Sequence, residues 1–155
     1  MVLDVLLKRA PFYTAAADVL RLVEQGNIME YVSASTITDI YYIASRQIKD
    51  RAVVKNLLGR LLKVVSIAAV TKQEIKCALD LDWLDFEDSI QYAVAQAGEM
   101  DGIVTRNPDD YKCADINIWL PEDLFRNLFS RFGDIIGRVF SDAHKMAQKW
   151  HSKRR

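Results

Sequence analysis

Hydrophobic residues recur along this chain at two kinds of spacing, and each spacing predicts a different element. Ala16, Val19 and Val23 lie three to four positions apart, which places their side chains on one face of an amphipathic helix. Short apolar runs that are rich in β-branched residues predict buried strands instead. The predicted strands are residues 31–34, 64–70, 102–105 and 116–119, and the predicted helices are residues 16–23, from 35 or 36 onward, 50–63, from 71 onward and 86–97. Strands separated by helices require crossover connections, so the pattern predicts an α/β fold with a central parallel sheet flanked by helices.

The hydrophobic pattern changes at Pro121. From Phe125 to Trp150 the apolar residues alternate steps of four and three, which is a heptad spacing over about 26 residues. This spacing predicts a long C-terminal amphipathic helix, whose apolar stripe must be buried on the body, on a partner chain or in an oligomer. We therefore expect two units, a domain over residues 1–123 and a C-terminal helical extension over residues 124–155, and we expect a homo-oligomer.

Composition excludes several classes of protein. Half of the 155 residues are hydrophobic and 27% are charged, which excludes an intrinsically disordered chain. The longest uncharged run, residues 89–98, is far shorter than the roughly 18 residues that span a bilayer. The apolar start Val2–Leu7 contains Asp4 and has no cleavage site, so it does not resemble a secretory signal. Cys77 and Cys113 fit neither a disulfide framework nor a metal motif, and we expect buried, reduced thiols in a cytoplasmic protein without a membrane partner.

The net charge of zero hides an uneven distribution of charge. Residues 1–120 carry 13 basic and 17 acidic side chains, whereas residues 121–155 carry eight basic and four acidic ones. A neutral chain gives no general argument for nucleic-acid binding. The basic C-terminal end either supplies local phosphate contacts or is a solvated helix face.

Five acidic residues fall within nine positions before and at the start of the helix over residues 86–97. They are Asp80, Asp82, Asp85, Glu87 and Asp88. Asp85 is placed to cap the helix, and Asp88 in the first turn is favoured by the helix dipole. The cap and the helix dipole explain only Asp85 and Asp88 among the five acids. Carboxylates that are held close together repel each other, and a divalent cation relieves that repulsion.

Further polar residues follow two of the predicted strands. Asp39 lies in the first turn of the helix after the first strand, and Asn107 and Asp110 follow the third strand. Asp101 precedes its strand and therefore lies at the opposite edge, where we expect a structural role. Because ligands bind beyond the carboxyl ends of parallel strands, Asp39, Asp88, Asn107 and Asp110 are expected to converge. Their oxygen atoms suit Mg²⁺ or Mn²⁺ rather than zinc, and such sites commonly serve phosphoryl chemistry.

Asp39 also has a purely structural interpretation. It lies three positions after Thr36, which is the spacing of a helix capping box. His144 and His151 lie seven positions apart on the polar side of the C-terminal helix, where we expect them to be solvated. The sequence contains no glycine-rich phosphate loop and no GxSxG or HExxH motif.

Three stretches of the chain resemble PIN domains, including those of VapC-type toxins. They are VLDVLLKRAPFY (residues 2–13), YVSASTITDIYYIASR (residues 31–46) and LDFEDSIQYAVAQAGEMDGIVTRNPDDY (residues 84–111). The most specific part is the acidic helix start followed by a loop of the form TRN-x-x-D-aromatic. The resemblance covers about residues 2–123. It implies a three-layer α/β fold with a central parallel sheet, and metal-dependent RNA cleavage by a cluster of three or four acids.

The resemblance also implies roles for particular residues. By position, Asp39 is similar to the family's second acid and Asp88 to its third, while Asn107 stands where many members have an aspartate. Asp39, Asp88 and Asn107 are then expected to bind Mg²⁺ or Mn²⁺, with Asp110 completing the shell or orienting water. Arg106 is expected either to contact a phosphate or to be solvated. RNA and an antitoxin protein are the expected partners.

One family feature is missing from this sequence. PIN domains normally open with a strand that carries an Asp-x-Asn signature, and we expect the domain to be N-terminally incomplete because Met1 stands about where that strand should end. Either Val2–Leu7 forms the following helix with Asp4 inside it, or it forms a strand that presents Asp4 as a ligand. The leading prediction is a Mg²⁺- or Mn²⁺-dependent endoribonuclease. The alternatives are a catalytically impaired module that binds nucleic acid or protein, and a structural oligomer formed through the C-terminal helix.

Overall fold

The computed structural model describes residues 1–124 and Leu128 of the chain. Six α-helices, four short strands and a 3₁₀ helix are assigned over residues 1–120. In chain order they are α1 (Val2–Leu6), α2 (Tyr13–Glu24), β1 (Tyr31–Ser33), α3 (Ala34–Ile48), α4 (Arg51–Leu61), β2 (Ser66–Ala68), α5 (Lys72–Asp80), α6 (Phe86–Ala97), β3 (Gly102–Val104), the 3₁₀ helix Pro108–Tyr111 and β4 (Asn117–Trp119). Among the residues described, no helix is both long enough and apolar enough to cross a membrane. The predicted mixture of helices and strands is confirmed.

The first residues of the chain form a helix, α1, so the alternative that made them a strand is wrong. Val2 belongs to the same apolar cluster as Val32 and Ile40, and Leu6 packs against that cluster. Residues four positions apart lie on one helix face, so Val2 and Leu6 enter the core together. Asp4 lies inside α1 and is fully buried.

Side-chain caps fix the starts of four helices. Asp50 caps α4 and Asp85 caps α6, and Thr71 with Glu74 forms the predicted capping box of α5. At α3 the cap is Ser33, whose Oγ accepts the backbone N–H of Thr36 at 3.2 Å. Asp39 therefore lies in the second turn of α3, and the expected capping box with Thr36 is wrong because β1 delivers Ser33 to the cap position in an extended conformation.

The strands are parallel, as predicted, but the described residues form two small sheets rather than one. β1 pairs with β2, where Val32 lies opposite Ile67. β3 pairs with β4, where Ile103 lies opposite Ile118. The three-layer arrangement around a single central sheet is therefore supported only in part, by the parallel pairing and by the helices that connect the strands.

Two apolar clusters form the core of the described part. The first gathers residues from α1, β1, α3 and the end of α4, and the second lies between α5 and α6. Their buried members are Val2, Val32, Ile40, Leu61 and Val65, and Ala78, Ile90, Ala93 and Val94. Cys77 and Cys113 are free but exposed, so the prediction of buried thiols is wrong. Cys77 points outward because α5 buries the face that carries Glu74 and Ala78.

Residues 121–124 and Leu128 are helical. The rest of the predicted C-terminal helix, together with His144 and His151, lies outside the described residues. The division of the chain at residues 123 and 124 and the expected homo-oligomer stay predictions.

Candidate active site

The start of α6 carries the acidic residues that the sequence singled out. Asp85 Oδ1 accepts the backbone N–H of Glu87 at 2.8 Å and that of Asp88 at 3.3 Å, which confirms Asp85 as the cap. The cap satisfies two of the backbone N–H groups that a helix start leaves unpaired. It also fixes the direction in which Glu87 and Asp88 leave the first turn.

Asp88 is held by a buried tyrosine from a distant part of the chain. Tyr111 Oη donates to Asp88 Oδ1 at 2.7 Å and lies 3.2 Å from Gln91 Oε1. The tyrosine is 3% exposed, and the ring of Trp83 packs edge-on against it with a centroid distance of 5.7 Å. The hydroxyl has a single proton, so the shorter bond to Asp88 is the stronger one. One oxygen of Asp88 therefore has a fixed position.

Several carboxylates act on one another around the start of α6. Partial burial raises the pKa of Asp88, the bond from Tyr111 lowers it, and the charges of Asp85 and Asp110 raise it. The pKa of Glu87 is raised by partial burial first and then by the neighbouring carboxylates of Asp39, Asp85 and Asp88. Acids from α3, α6 and the loop after β3 thus share one electrostatic environment.

The loop after β3 brings Asn107 and Asp110 together. Thr105 Oγ1 accepts the backbone N–H of Asn107 at 3.1 Å, and Asn107 Nδ2 donates to Asp110 Oδ2. The 3₁₀ helix that follows carries Tyr111 from this loop into the interior. Because the amide nitrogen of Asn107 is engaged by Asp110, its carbonyl oxygen is the atom that remains for a ligand.

Three of the four predicted site residues are neighbours, and the fourth, Asp39, lies near Glu87 at the start of α6. Asp110 accepts a hydrogen bond from Asn107 and acts electrostatically on Asp88. Asp39 acts electrostatically on Glu87. The oxygen donors suit Mg²⁺ or Mn²⁺ in chemical type. Within the part of the chain that the structure describes, however, no three acidic, histidine or cysteine side chains come close enough together to hold a metal ion.

Arg106 is engaged by a buried acid. Its Nη1 lies 3.2 Å from Oδ1 of the fully buried Asp4, and its guanidinium lies over the ring of Phe12 at 4.6 Å from the centroid. The N-terminal amine of Met1 lies 3.4 Å from Asp4 Oδ2. Among the described residues, neither oxygen accepts a hydrogen bond of good geometry, so these two cations compensate the buried charge by electrostatic attraction. Arg106 is therefore not a simply solvated side chain.

Sequence reasoning missed two contributors to this site. Tyr111 fixes Asp88, and Gln91 lies near the same hydroxyl. Signals for both were present, because Tyr111 is the aromatic residue that ends the TRN-x-x-D-aromatic loop and Gln91 lies three positions after Asp88 on the same helix face. The contact between Tyr111 and Asp88 spans 23 positions, which no local pattern encodes.

Comparison with known proteins identifies the family. The profile of the PIN domain matches residues 1–109, which is 109 of the 155 residues. No curated protein and no solved structure matches the chain. PIN domains have a nuclease-like fold, and they are in general metal-dependent ribonucleases that act on RNA. The match runs from α1 to the 3₁₀ helix after Asn107 and includes the acidic start of α6. The chain belongs to the PIN domain family.

Proposed function

We propose that this protein is a Mg²⁺- or Mn²⁺-dependent endoribonuclease of the toxin type, which hydrolyses phosphodiester bonds in RNA. One observation carries the proposal. Tyr111 holds Asp88 beside the hydrogen-bonded pair of Asn107 and Asp110, and the pKa values of Glu87 and Asp88 are raised first by burial and then by neighbouring carboxylates. Like charges are held together at this cost where a cation is to be bound.

The proposed roles follow the chemistry of each side chain. Asp39, Asp88 and Asn107 hold the cation, and Asp110 orients water. When bound, a divalent ion supplies positive charge that favours ionisation of water and offsets the charge on the leaving oxygen. Asp88 is the anchor because the bond from Tyr111 fixes one of its oxygens. Asn107 contributes a neutral oxygen, which gives the site one charge fewer than a carboxylate would.

The cellular setting is part of the same proposal. We place the protein in the cytoplasm, with an antitoxin protein as a partner that covers the acids. Arg106 contacts an RNA phosphate with the guanidinium N–H groups that Asp4 leaves available. Residues 124–155 carry the homo-oligomer contact.

A catalytically impaired PIN module that binds nucleic acid or protein is the second candidate function. Two observations favour it. The described residues contain no group of three acids close enough for a metal, and the carboxylate of Asp4 is compensated by Arg106. Such a module would bind RNA or a protein without cleaving it.

A calorimetric titration with Mn²⁺ tests the leading proposal, using the full chain and two variants. Asp88→Asn removes the anchor charge. Asp109→Asn is the matched control, since Asp109 is an exposed neighbour in the same loop that pairs with Lys112 at 3.2 Å on the surface. We expect saturable binding in the wild type and in the control, and at least tenfold weaker binding in Asp88→Asn, with unchanged circular dichroism throughout.

RNA cleavage assays on the same three proteins decide between the two functions. Cleavage that requires Mn²⁺ and is lost in Asp88→Asn supports the ribonuclease. Equal cleavage by the wild type and Asp88→Asn would refute the assigned site. Binding of RNA by all three proteins, with neither Mn²⁺ binding nor cleavage, would instead support the impaired module.

A further inference from the structure

One face of α3 leads away from the acids of the candidate site. Asp39, Tyr42 and Arg46 lie three and four positions apart, which places them on one side of the helix. Ile40 and Ala44 lie on the opposite side and are buried. Asp39 acts electrostatically on the first turn of α6. Arg46 lies about 10 Å further along the axis of α3, from the rise of about 1.5 Å per residue.

Tyr42 presents its ring to solvent beside an arginine. The residue is 61% exposed. Arg46 Nη1 donates to Tyr42 Oη at 3.3 Å, and the guanidinium carbon lies 5.4 Å from the centroid of the ring. The contact limits the positions open to both side chains, so less entropy is lost when a ligand binds to them. An aromatic ring for a base and a cation for the neighbouring phosphate are what a nucleotide requires.

Positive charge is concentrated in the segment that begins at Arg46. Residues 46–63, here called the basic segment, contain six basic side chains and one acidic one, whereas the rest of residues 1–120 carry seven basic and sixteen acidic side chains. The six are exposed, and they are Arg46, Lys49, Arg51, Lys55, Arg60 and Lys63. The one acid, Asp50, is used as the cap of α4. Among the described residues, none of the six forms a salt bridge, so their charge is available to an anionic ligand.

The order of these features along α3 fits a single-stranded nucleic acid. Moving away from the acids, the surface offers an aromatic ring at Tyr42, a guanidinium at Arg46 and then the charges of the basic segment. A positively charged surface follows the phosphates of such a strand, and aromatic rings stack on its bases. A small free anion would use the charges but leave Tyr42 without a role. The bases of a duplex are stacked on each other and do not reach an aromatic ring on a protein surface.

We propose that single-stranded RNA crosses α3 from the acids to the basic segment, with one base stacked on Tyr42 and the adjacent phosphate bound by Arg46. Lys49, Arg51 and Lys55, which flank the turn between α3 and α4, supply positive charge to the phosphates beyond it. The inference rests on the proposed function for the choice of RNA as the ligand, and it adds the surface that holds the strand. It does not require cleavage.

Fluorescence anisotropy of the full chain with a labelled oligouridylate of about ten nucleotides tests the stacking. EDTA in the buffer removes divalent ions, so RNA binding is measured without cleavage. We expect Tyr42→Ala to bind the RNA at least fivefold more weakly, which corresponds to about one lost base–aromatic stack. Tyr42→Phe keeps the ring and should bind as the wild type does. Tyr13→Ala, at an exposed tyrosine on α2, is the control and should leave the affinity unchanged.

The salt dependence of the same binding tests the charges. Arg46→Gln removes one phosphate contact, so the slope of log affinity against log salt concentration should become shallower by about 0.7. The double variant of Lys49→Gln and Lys55→Gln should make it shallower by about 1.4. Lys72→Gln and Lys76→Gln, at exposed lysines of α5 outside the basic segment, are the matched controls and should leave the slope unchanged. Circular dichroism should be the same for all variants.

A photochemical crosslink gives a readout that a purely structural role of Tyr42 would not produce. The probe is the same oligouridylate with 5-iodouridine, which reacts on irradiation with an aromatic ring that it stacks on. We expect mass spectrometry of the digested complex to find the RNA attached at Tyr42. The crosslink should disappear in Tyr42→Ala and persist in Tyr13→Ala.

Three results would overturn the inference. The first is the absence of saturable RNA binding by the wild type. The second is RNA binding that neither Tyr42→Ala nor Arg46→Gln weakens. The third is binding of polyglutamate as tightly as RNA of the same charge, which would make an acidic polypeptide the partner of this surface.

The inference and the proposed function fail in different ways. RNA affinity that falls in Tyr42→Ala and Arg46→Gln, together with no Mn²⁺-dependent cleavage by the wild type, would keep the RNA surface and remove the nuclease. Mn²⁺-dependent cleavage with an unchanged KM in both variants would keep the nuclease and remove the RNA surface.

Discussion

The hydroxyl of Tyr111 lies 2.7 Å from Asp88 Oδ1, and only 3% of this tyrosine is exposed. Burial shields the bond from water, and the acceptor carries charge, so this contact belongs to the stronger class of hydrogen bonds. The bond favours the ionised form of Asp88 and opposes the burial and the neighbouring acids that raise the pKa. At the scale of single residues, Tyr111 therefore controls how readily Asp88 carries its charge.

Replacing Tyr111 by phenylalanine should change the charge state of Asp88. We expect Tyr111→Phe to raise the pKa of Asp88 further, because the hydrogen bond that lowers it is lost, and to cost about 1–3 kcal/mol of folding free energy at neutral pH. Carbonyl-carbon NMR titration of Asp88 and urea unfolding measure the two effects. Tyr13→Phe, at an exposed tyrosine on α2, is the control. An Asp88 titration that is identical in Tyr111→Phe and wild type would contradict the assigned role.

At the scale of secondary-structure elements, the pairing of β3 with β4 depends on how closely the two strands approach each other. A Cβ atom added at Gly102 in β3 would lie 2.3 Å from the carbonyl oxygen of Asn117 and 2.5 Å from the ring of Trp119, both in β4. These distances are far inside van der Waals contact, and one of the obstacles is backbone. The glycine is therefore what allows β3 and β4 to pair at this register. Gly59 in α4 is the opposite case, because no described atom beyond its chain neighbours and the backbone of its own helix lies within 4 Å of its added Cβ.

Alanine at these two glycines should have effects of opposite sign. Gly102→Ala should destabilise the fold by about 1–3 kcal/mol, since either the strands or the Trp119 ring must move. Gly59→Ala should stabilise it by about 0.5–1 kcal/mol, because glycine inside a helix costs conformational entropy. Urea unfolding of both variants measures the difference. Loss of stability in Gly59→Ala would contradict the open surroundings assigned to Gly59.

The stability of the whole molecule varies with pH in part because the carboxyl of Glu30 is buried. Burial raises the pKa of Glu30 from 4.5 to about 7, while the N-terminal amine lowers it slightly. Between these two pH values the folded protein binds more protons than the unfolded chain, so the free energy of unfolding falls as the pH rises. The contribution of Glu30 is complete below pH 4.5 and is lost as the pH rises through about 7.

The variant Glu30→Gln isolates this dependence because it removes the titrating group. The stability of the wild type should fall by about 2.5 kcal/mol more than that of the variant between pH 5 and pH 8, because the pKa of Glu30 is 4.5 in the unfolded chain and about 7 in the folded protein. Urea unfolding at both values measures the difference. Glu24→Gln, at an exposed position on α2, is the control and should follow the wild type. Parallel pH profiles for the wild type and Glu30→Gln would contradict the burial of this charge.

Features that depend on residues a few positions apart could be predicted from the sequence. The Asp85 cap and the capping box of Thr71 and Glu74 are confirmed, because donor and acceptor lie within three positions of each other. The cap of α3 was assigned wrongly, since Ser33, Ser35 and Thr36 offer similar hydroxyls and only the path of the strand selects Ser33. Both cysteines were predicted to be buried because cysteine usually is, but Cys77 lies on the exposed face of α5 and Cys113 lies in the turn after the 3₁₀ helix.

The sequence by itself determined the order and type of the elements between α2 and β4, the caps of α5 and α6, and the family, because these depend on local spacing and on motifs within single segments. Only the tertiary structure decided that Tyr111 holds Asp88, that Arg106 faces the buried Asp4 across about a hundred positions, and that four parallel strands form two pairs. The physical reason is the range of the contacts. Helix periods and caps act over about four residues, whereas these pairings require the packed chain to bring distant side chains within about 3 Å.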